Sequence, residues 1–138
     1  MTSPSVTSPS TAHVHANSTL ANLYTGVPLM RGSLLASVDG RVLAADLDED
    51  RQNAAAAVIA SGFALGSKLG ELLGPANVSE MTVRTDDGLV SLYAVGSRAV
   101  LAAMAMPDAN LGLLHIRARL ACTSLEPLVP ALLGETSS

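Results

Sequence analysis

Aromatic residues make up only 2% of the 138-residue chain, two tyrosines and one phenylalanine with no tryptophan, so the stacking surface that usually holds unpaired bases is missing. Lysine occurs once and arginine seven times against twelve carboxylates, a net charge of −4. The attraction that drives phosphate-backbone binding is therefore absent too, and nucleic acid is excluded as the expected partner. Cys122 is the only cysteine, which rules out an intrachain disulfide and fits a reducing, cytoplasmic setting. No basic stretch followed by an apolar one opens the chain. The longest apolar run, from Ala54 onward, is broken by Ser61 and Lys68, so no membrane insertion is expected. The acceptor-like triplets at Asn17 and Asn77 are then chance matches. What remains is aliphatic bulk: 49% of residues are hydrophobic, enough for one domain with one core of Ala, Leu, Val and Met.

That bulk is densest in residues 51–74, RQNAAAAVIASGFALGSKLGELLG, a stretch of helical length that is apolar over most of its circumference. Val58, Gly62, Leu65, Leu69 and Leu72 form one stripe at spacings of three and four. Ile59, Phe63, Gly66, Gly70 and Leu73 form a second beside it, flanked by Ala56 and Ala60. Such a helix needs two surfaces to lie on. The glycines of the second stripe would let another backbone approach closely, so the expectation is that the first stripe faces the chain's own sheet and the second a partner.

Around this helix the chain reads in order. Residues 1–17, rich in Ser, Thr and Pro, are expected to be a disordered tail, and residues 134–138 likewise, with the domain spanning 18–133. Ser18 is expected to cap a helix of barely two turns carrying Leu20, Leu23 and Tyr24. From Ser33 the apolar period becomes two, and Asp39-Gly40 joins two such runs as a hairpin. Asp48 or Asp50 is placed to cap the long helix, which Gly74-Pro75 stops. Residues 79–85 alternate, with Met81 and Val83 on the apolar face. Residues 89–95 and 98–106 follow as strands, the last apolar on both faces and so expected at the sheet centre with helices on either side. Asn110 then opens a helix with Leu111, Leu114, Ala118, Ala121 and Leu125 inward, ended by Pro127 and Pro130.

Sites for chemistry are sparse. His13 and His15 lack further ligands, so no metal is expected there. Asp46, Asp48 and Asp50 resemble a calcium loop, but Arg51 replaces its turn glycine and Ala57 its bidentate glutamate. The run from Gly62 to Lys68 has three residues where a phosphate-binding loop needs four, and it lies inside a helix. His115 has no companion nearby in sequence and is assigned no role. No cofactor is implied, and the reading is of a non-enzyme.

In two stretches, Gly26-Val27-Pro28 followed by residues 31–45 (RGSLLASVDGRVLAA), and residues 108–114 (DANLGLL), the chain resembles the Roadblock family of small-GTPase regulators and dynein-associated light chains. The resemblance implies an α+β fold: a single five-stranded antiparallel sheet in the order 2-1-5-4-3, with the long helix on one face and the terminal helices on the other, Roadblock/profilin-like. It implies dimerisation, with the same or a related Roadblock chain, through the long helix and the strand at 79–85. The expected interface is Val58, Ile59, Gly62, Phe63, Gly66, Leu69, Gly70, Leu73, Met81 and Val83. MglB-like bacterial members bind a Ras-like small GTPase on the long-helix side and promote GTP hydrolysis, which makes Arg51, Lys68 and Glu71 candidate GTPase contacts. The alternatives are a scaffold subunit of a signalling or motor complex and a small-ligand sensor.

Overall fold

The computed structural model describes residues 8–135. The elements run α1 (Pro9–Gly26), β1 (Met30–Ser37), β2 (Val42–Asp46), α2 (Glu49–Gly70) with a 3-10 turn over Glu71–Leu73, β3 (Glu80–Thr85), β4 (Gly88–Val95), β5 (Ala99–Ala105), α3 (Leu111–Leu125), a second 3-10 turn over Glu126–Leu128, and α4 (Val129–Leu132). The strands form one antiparallel sheet in the order β2-β1-β5-β4-β3. β5, apolar on both faces, is its central strand, as such a run must be.

The two faces carry separate cores. Leu35, Leu43, Tyr93, Leu101 and Ala103 point toward α1, α3 and α4, where Leu20, Leu23, Leu114 and Leu125 meet them. Leu34, Ala36, Leu92, Val100 and Ala102 point the other way, under Ala56 and Ile59 of α2. The sheet is therefore covered on both sides, by three helices on one and a single helix on the other.

α1 corrects the expected tail and two-turn helix. It starts at Pro9, with the Ser8 hydroxyl accepting from the Thr11 amide at 3.2 Å, and it buries Ala12 and Ala16 completely. Ser-Pro is a strong helix start because proline occupies the first turn, where its missing N–H costs nothing. Small Ala side chains four apart continue the stripe of Leu20 and Leu23. His13 and His15 thus lie on the exposed side of a helix. Residues 1–7 and 136–138 lie outside the described residues. Glu135 is described and pairs with Arg98.

One smaller departure concerns α2. Asp48 is at the N-cap position, yet its side chain bonds no backbone amide, and Gln52 Nε2 instead donates to the Leu47 carbonyl at 2.8 Å. Glu49 and Asp50 still complement the dipole from the first turn. At the Asp39-Gly40 hairpin, Ser37 Oγ accepts from the Arg41 amide at 2.9 Å and donates to the Asp39 carboxylate, fixing the turn.

Candidate interaction face

α2 crosses the sheet diagonally. Its first half lies over the β1–β2 hairpin, where the Ala57 Cα is 3.5 Å from a Cβ built on Gly40. Its second half reaches the start of β3. There a Cβ on Gly66 would be 2.3 Å from Met81 Sδ, and one on Gly70 would be 2.6 Å from Val78 Cγ2. Both glycines therefore leave room for the chain's own side chains, Met81 of β3 and Val78 just before it, and not for a partner's backbone.

This reverses the expected roles of the two stripes. Ile59 is 7% exposed, Gly66 is buried, and Phe63 and Met81 pack against the same core; the stripe expected to meet a partner rests chiefly on β1 and β5. The other stripe faces outward: Val58 is 70% exposed, Leu65 65%, Leu69 60% and Leu72 82%. Gly62 and Gly70 are half-buried, and Leu73, beyond the helix end, is 92% exposed. The reason lies in side-chain size. Only the stripe with glycines can come close enough to the sheet to seat Met81 and Val78, so the leucine-rich stripe is left outside.

β3 adds an open edge. It pairs with β4 from Glu80↔Tyr93 to Thr85↔Gly88 and, among the described residues, with no strand on its other side. Val83, 51% exposed, points to the α2 side like Met81 two residues earlier. Between β3 and the first turn of α2 the sheet is bare, leaving a groove of about 310 Å³ with Leu47, Val83, Val90 and Met104 as its floor and Arg31 and Arg51 at its rim. Glu71 lines a second groove, of about 560 Å³, at the opposite end of α2. Arg51, Lys68 and Glu71 are all exposed. Seventeen residues of helix put Arg51 about 25 Å from Lys68, so these three side chains do not converge on one point.

By length and composition Glu49–Leu73, with mean hydropathy 1.3, suffices to cross a bilayer; Ser61 and Lys68 do not bring it below that limit. Its Ala56, Ile59 and Ala60 are seated on the sheet.

On the opposite face the structure gathers polar groups that sequence reading left apart. Glu80 accepts from Arg119 Nε at 2.5 Å and Nη2 at 2.8 Å, and His115 Nδ1 is 2.8 Å from Tyr93 Oη. His115 is thus not the isolated residue its sequence neighbourhood suggests. Its companions come from strands far along the chain, and only the pairing of β3 with β4 brings them together. Burial pushes the Tyr93 hydroxyl and the Cys122 thiol each up to about 12, so both stay protonated. Among the described residues no group of three or more His, Cys, Asp and Glu side chains is arranged to hold a metal ion.

The Arg119 hydrogen bond, opposed by desolvation, holds the Glu80 carboxyl below its usual range. A depressed folded-state pKa stabilises above the unfolded value, near 4.3, and that contribution is lost as pH falls through the folded value. For a pair this accessible it amounts to about 0.5 kcal/mol. Glu80→Gln is expected to lose that amount at neutral pH and nothing once pH falls well below the carboxylate range, as denaturant titrations at the two conditions would record.

The Roadblock/LC7 domain profile matches residues 16–105. No curated protein matches the sequence. Among solved structures, the chain is similar to a Roadblock/LC7 domain from Streptomyces avermitilis at 26% identity, covering 82% of this chain and 96% of that one, TM-score 0.78. It is similar to an MglB with a tetrameric arrangement at 21% identity, covering 95% and 99%, TM-score 0.82. It is similar to the gliding protein MglB of Thermus thermophilus at 21% identity, covering 92% and 97%, TM-score 0.79. With the profile spanning well over half its length and the sheet order, paired faces and long central helix all in place, the chain belongs to the Roadblock/LC7 family.

Proposed function

We propose that this protein is a non-enzymatic dimer that binds a Ras-like small GTPase on its α2 face and modulates GTP hydrolysis. The observation that carries the reading is the outward stripe of Val58, Leu65, Leu69 and Leu72 lying beside the open edge of β3, on a domain whose solved relatives include MglB proteins. A second copy pairing along β3 extends the sheet and satisfies a row of free N–H and C=O groups. Its α2 then brings leucines toward the bare groove beside Val83, and the two helices together offer a broad, shallow surface to the GTPase. A stable pair needs about 800 Å² from each copy; a four-residue aliphatic stripe plus one strand edge is of that order.

Arg51 and the Lys68–Glu71 end of α2 are too far apart within one copy to act together on one phosphate. On the analogy with its MglB-like relatives, the reading is that the protein orders the GTPase's own catalytic loops without contributing a catalytic side chain. The second reading is a scaffold that binds without changing turnover.

The deciding measurement is single-turnover GTP hydrolysis by the co-purifying or genetically neighbouring GTPase, with and without this protein. Acceleration or inhibition that saturates with the dimer is the expected result. Binding at unchanged rate moves the assignment to a scaffold, and failure to bind either nucleotide form rejects both.

A further inference from the structure

The Ala94 amide donates to the Ser79 carbonyl at 2.9 Å, and the β3–β4 hairpin closes on the Thr85↔Gly88 pair. Backbone groups alternate in direction along a strand, so Ser79, Met81, Val83 and Thr85 spend theirs on β4. Those of Glu80, Thr82 and Arg84 face outward, where no strand of the described residues meets them. The side chains alternate as well. Met81 packs on the α2 side, and Val83 follows it. Glu80 and Thr82 lie on the α3 side, where Glu80 meets Arg119 and Thr82 Oγ1 is 2.6 Å from Ser91 Oγ. Arg84 continues that row and is exposed. Its Nη1 is 3.5 Å from the Pro107 carbonyl oxygen, and among the described residues no carboxylate pairs with it.

These two alternations restrict how a second copy can join this edge. A two-fold axis perpendicular to the sheet makes the two strands antiparallel and keeps both α2 helices on one face. Opposed residues must send their side chains to the same face, so a residue, not a gap between residues, lies on the axis. Glu80 or Arg84 on the axis would face its own charge. Met81 there would shorten the overlap within β3 to residues 80–82, and Val83 there would set Glu80 against Asp86 of the second copy. With Thr82 on the axis, Glu80 faces Arg84, Met81 faces Val83, and the threonines face each other, all combinations that favour antiparallel pairing. We propose that a second copy of this chain pairs along β3 in the register that places Thr82 on the two-fold axis, so that Glu80 receives Arg84 of the second copy in addition to its own Arg119. A carboxylate has about four lone-pair sites, and Arg119 uses two of them. This rests on the dimer proposed above and adds its register and its ion pairs.

The test is disulfide trapping under mild oxidation, in the full chain carrying Cys122→Ser. Thr82→Cys is expected to cross-link to itself, because Cα atoms opposed on the axis are about 5.5 Å apart, within the range a disulfide spans. Met81→Cys and Val83→Cys each lie about 7–8 Å from their own mates on the diagonal. Neither is expected to cross-link alone, but a mixture of the two should, since 81 then faces 83. Thr82 and Val83 are exposed, so these two variants decide the register even if Met81→Cys fails to fold. Arg84→Glu opposes carboxylates at both symmetry-related places and is expected to weaken the dimer about tenfold in sedimentation at low salt. An unchanged dimer constant overturns the ion pairs. In a protein that sediments as a dimer, self-cross-linking of Val83→Cys, or none by Thr82→Cys, overturns the register and leaves the dimer standing. A wild type that is monomeric throughout rejects the dimer and the register with it.

Discussion

Leu69→Asp is expected to give a folded monomer, and Ile59→Asp, ten residues earlier on the same helix, is expected to unfold the protein. Leu69 is 60% exposed, so a carboxylate there keeps its hydration. The isolated domain loses only about 1 kcal/mol, from lower helix propensity and from placing negative charge near the helix C-terminus. In a dimer built on this stripe the same carboxylate is desolvated without a partner, at a cost of several kcal/mol, which is enough to dissociate it at micromolar concentration. Ile59 is 7% exposed and packs with Leu34, Ala36, Leu92 and Val100. Replacing it buries an unpaired charge and removes an aliphatic side chain, for a combined loss of about 5 kcal/mol or more. Against a typical total stability of roughly 5–15 kcal/mol that is decisive. Circular dichroism and sedimentation on the two variants separate the cases. A folded Ile59→Asp monomer beside an intact Leu69→Asp dimer would mean that the helix presents its glycine-bearing stripe outward after all.

Which stripe faces out was the part of the site that sequence alone could not decide. Both stripes are apolar, they lie side by side on one helix, and the glycines can be read equally as a seam for a partner or as holes for the protein's own side chains. The choice is made by Met81 and Val78, which lie beyond the helix end and fill the spaces above Gly66 and Gly70. The β3 strand, in contrast, was legible: although its edge position came from the family resemblance and not from the alternation, a two-residue alternation with one wet face needs no tertiary knowledge. The same holds for β5, whose two apolar faces dictate a central place, and for the Asp39-Gly40 hairpin. The first helix was misjudged because composition outweighed spacing: Ser, Thr and Pro suggest a tail, while Ala12 and Ala16 continue the Leu20 stripe unobtrusively. The Glu80–His115–Arg119 group could not be read at all, since Glu80 is 35 residues from His115 and the two meet only through the sheet.

Gly88→Ala is expected to be the most damaging conservative substitution in the sheet. Gly88 starts β4 at φ 149°, and a Cβ there would lie 2.3 Å from the Ala105 carbonyl oxygen. That oxygen belongs to backbone in the β4–β5 ladder, where Leu89 is paired with Ala105, so it cannot move aside without breaking the ladder. Backbone strain and overlap together should cost about 3 kcal/mol, lowering Tm by on the order of 10 °C. Two other glycines calibrate the result. Gly74, at φ 119° and ψ −179° with nothing within 4 Å of a built Cβ, carries conformational strain alone, and Gly74→Ala should cost about 2 kcal/mol. Gly66→Ala meets only the flexible end of Met81 and gains helix propensity of about 1 kcal/mol, so its stability should change little. Thermal melts should therefore rank Gly88→Ala lowest, then Gly74→Ala, then Gly66→Ala; an unchanged Tm for Gly88→Ala would contradict the register that places it against Ala105. The effect also reaches the interaction face. Gly88 pairs with Thr85 to close the β3–β4 hairpin, so strain at this one residue loosens the strand that a second copy is proposed to join. Self-association of Gly88→Ala should accordingly weaken at temperatures where the domain is still folded.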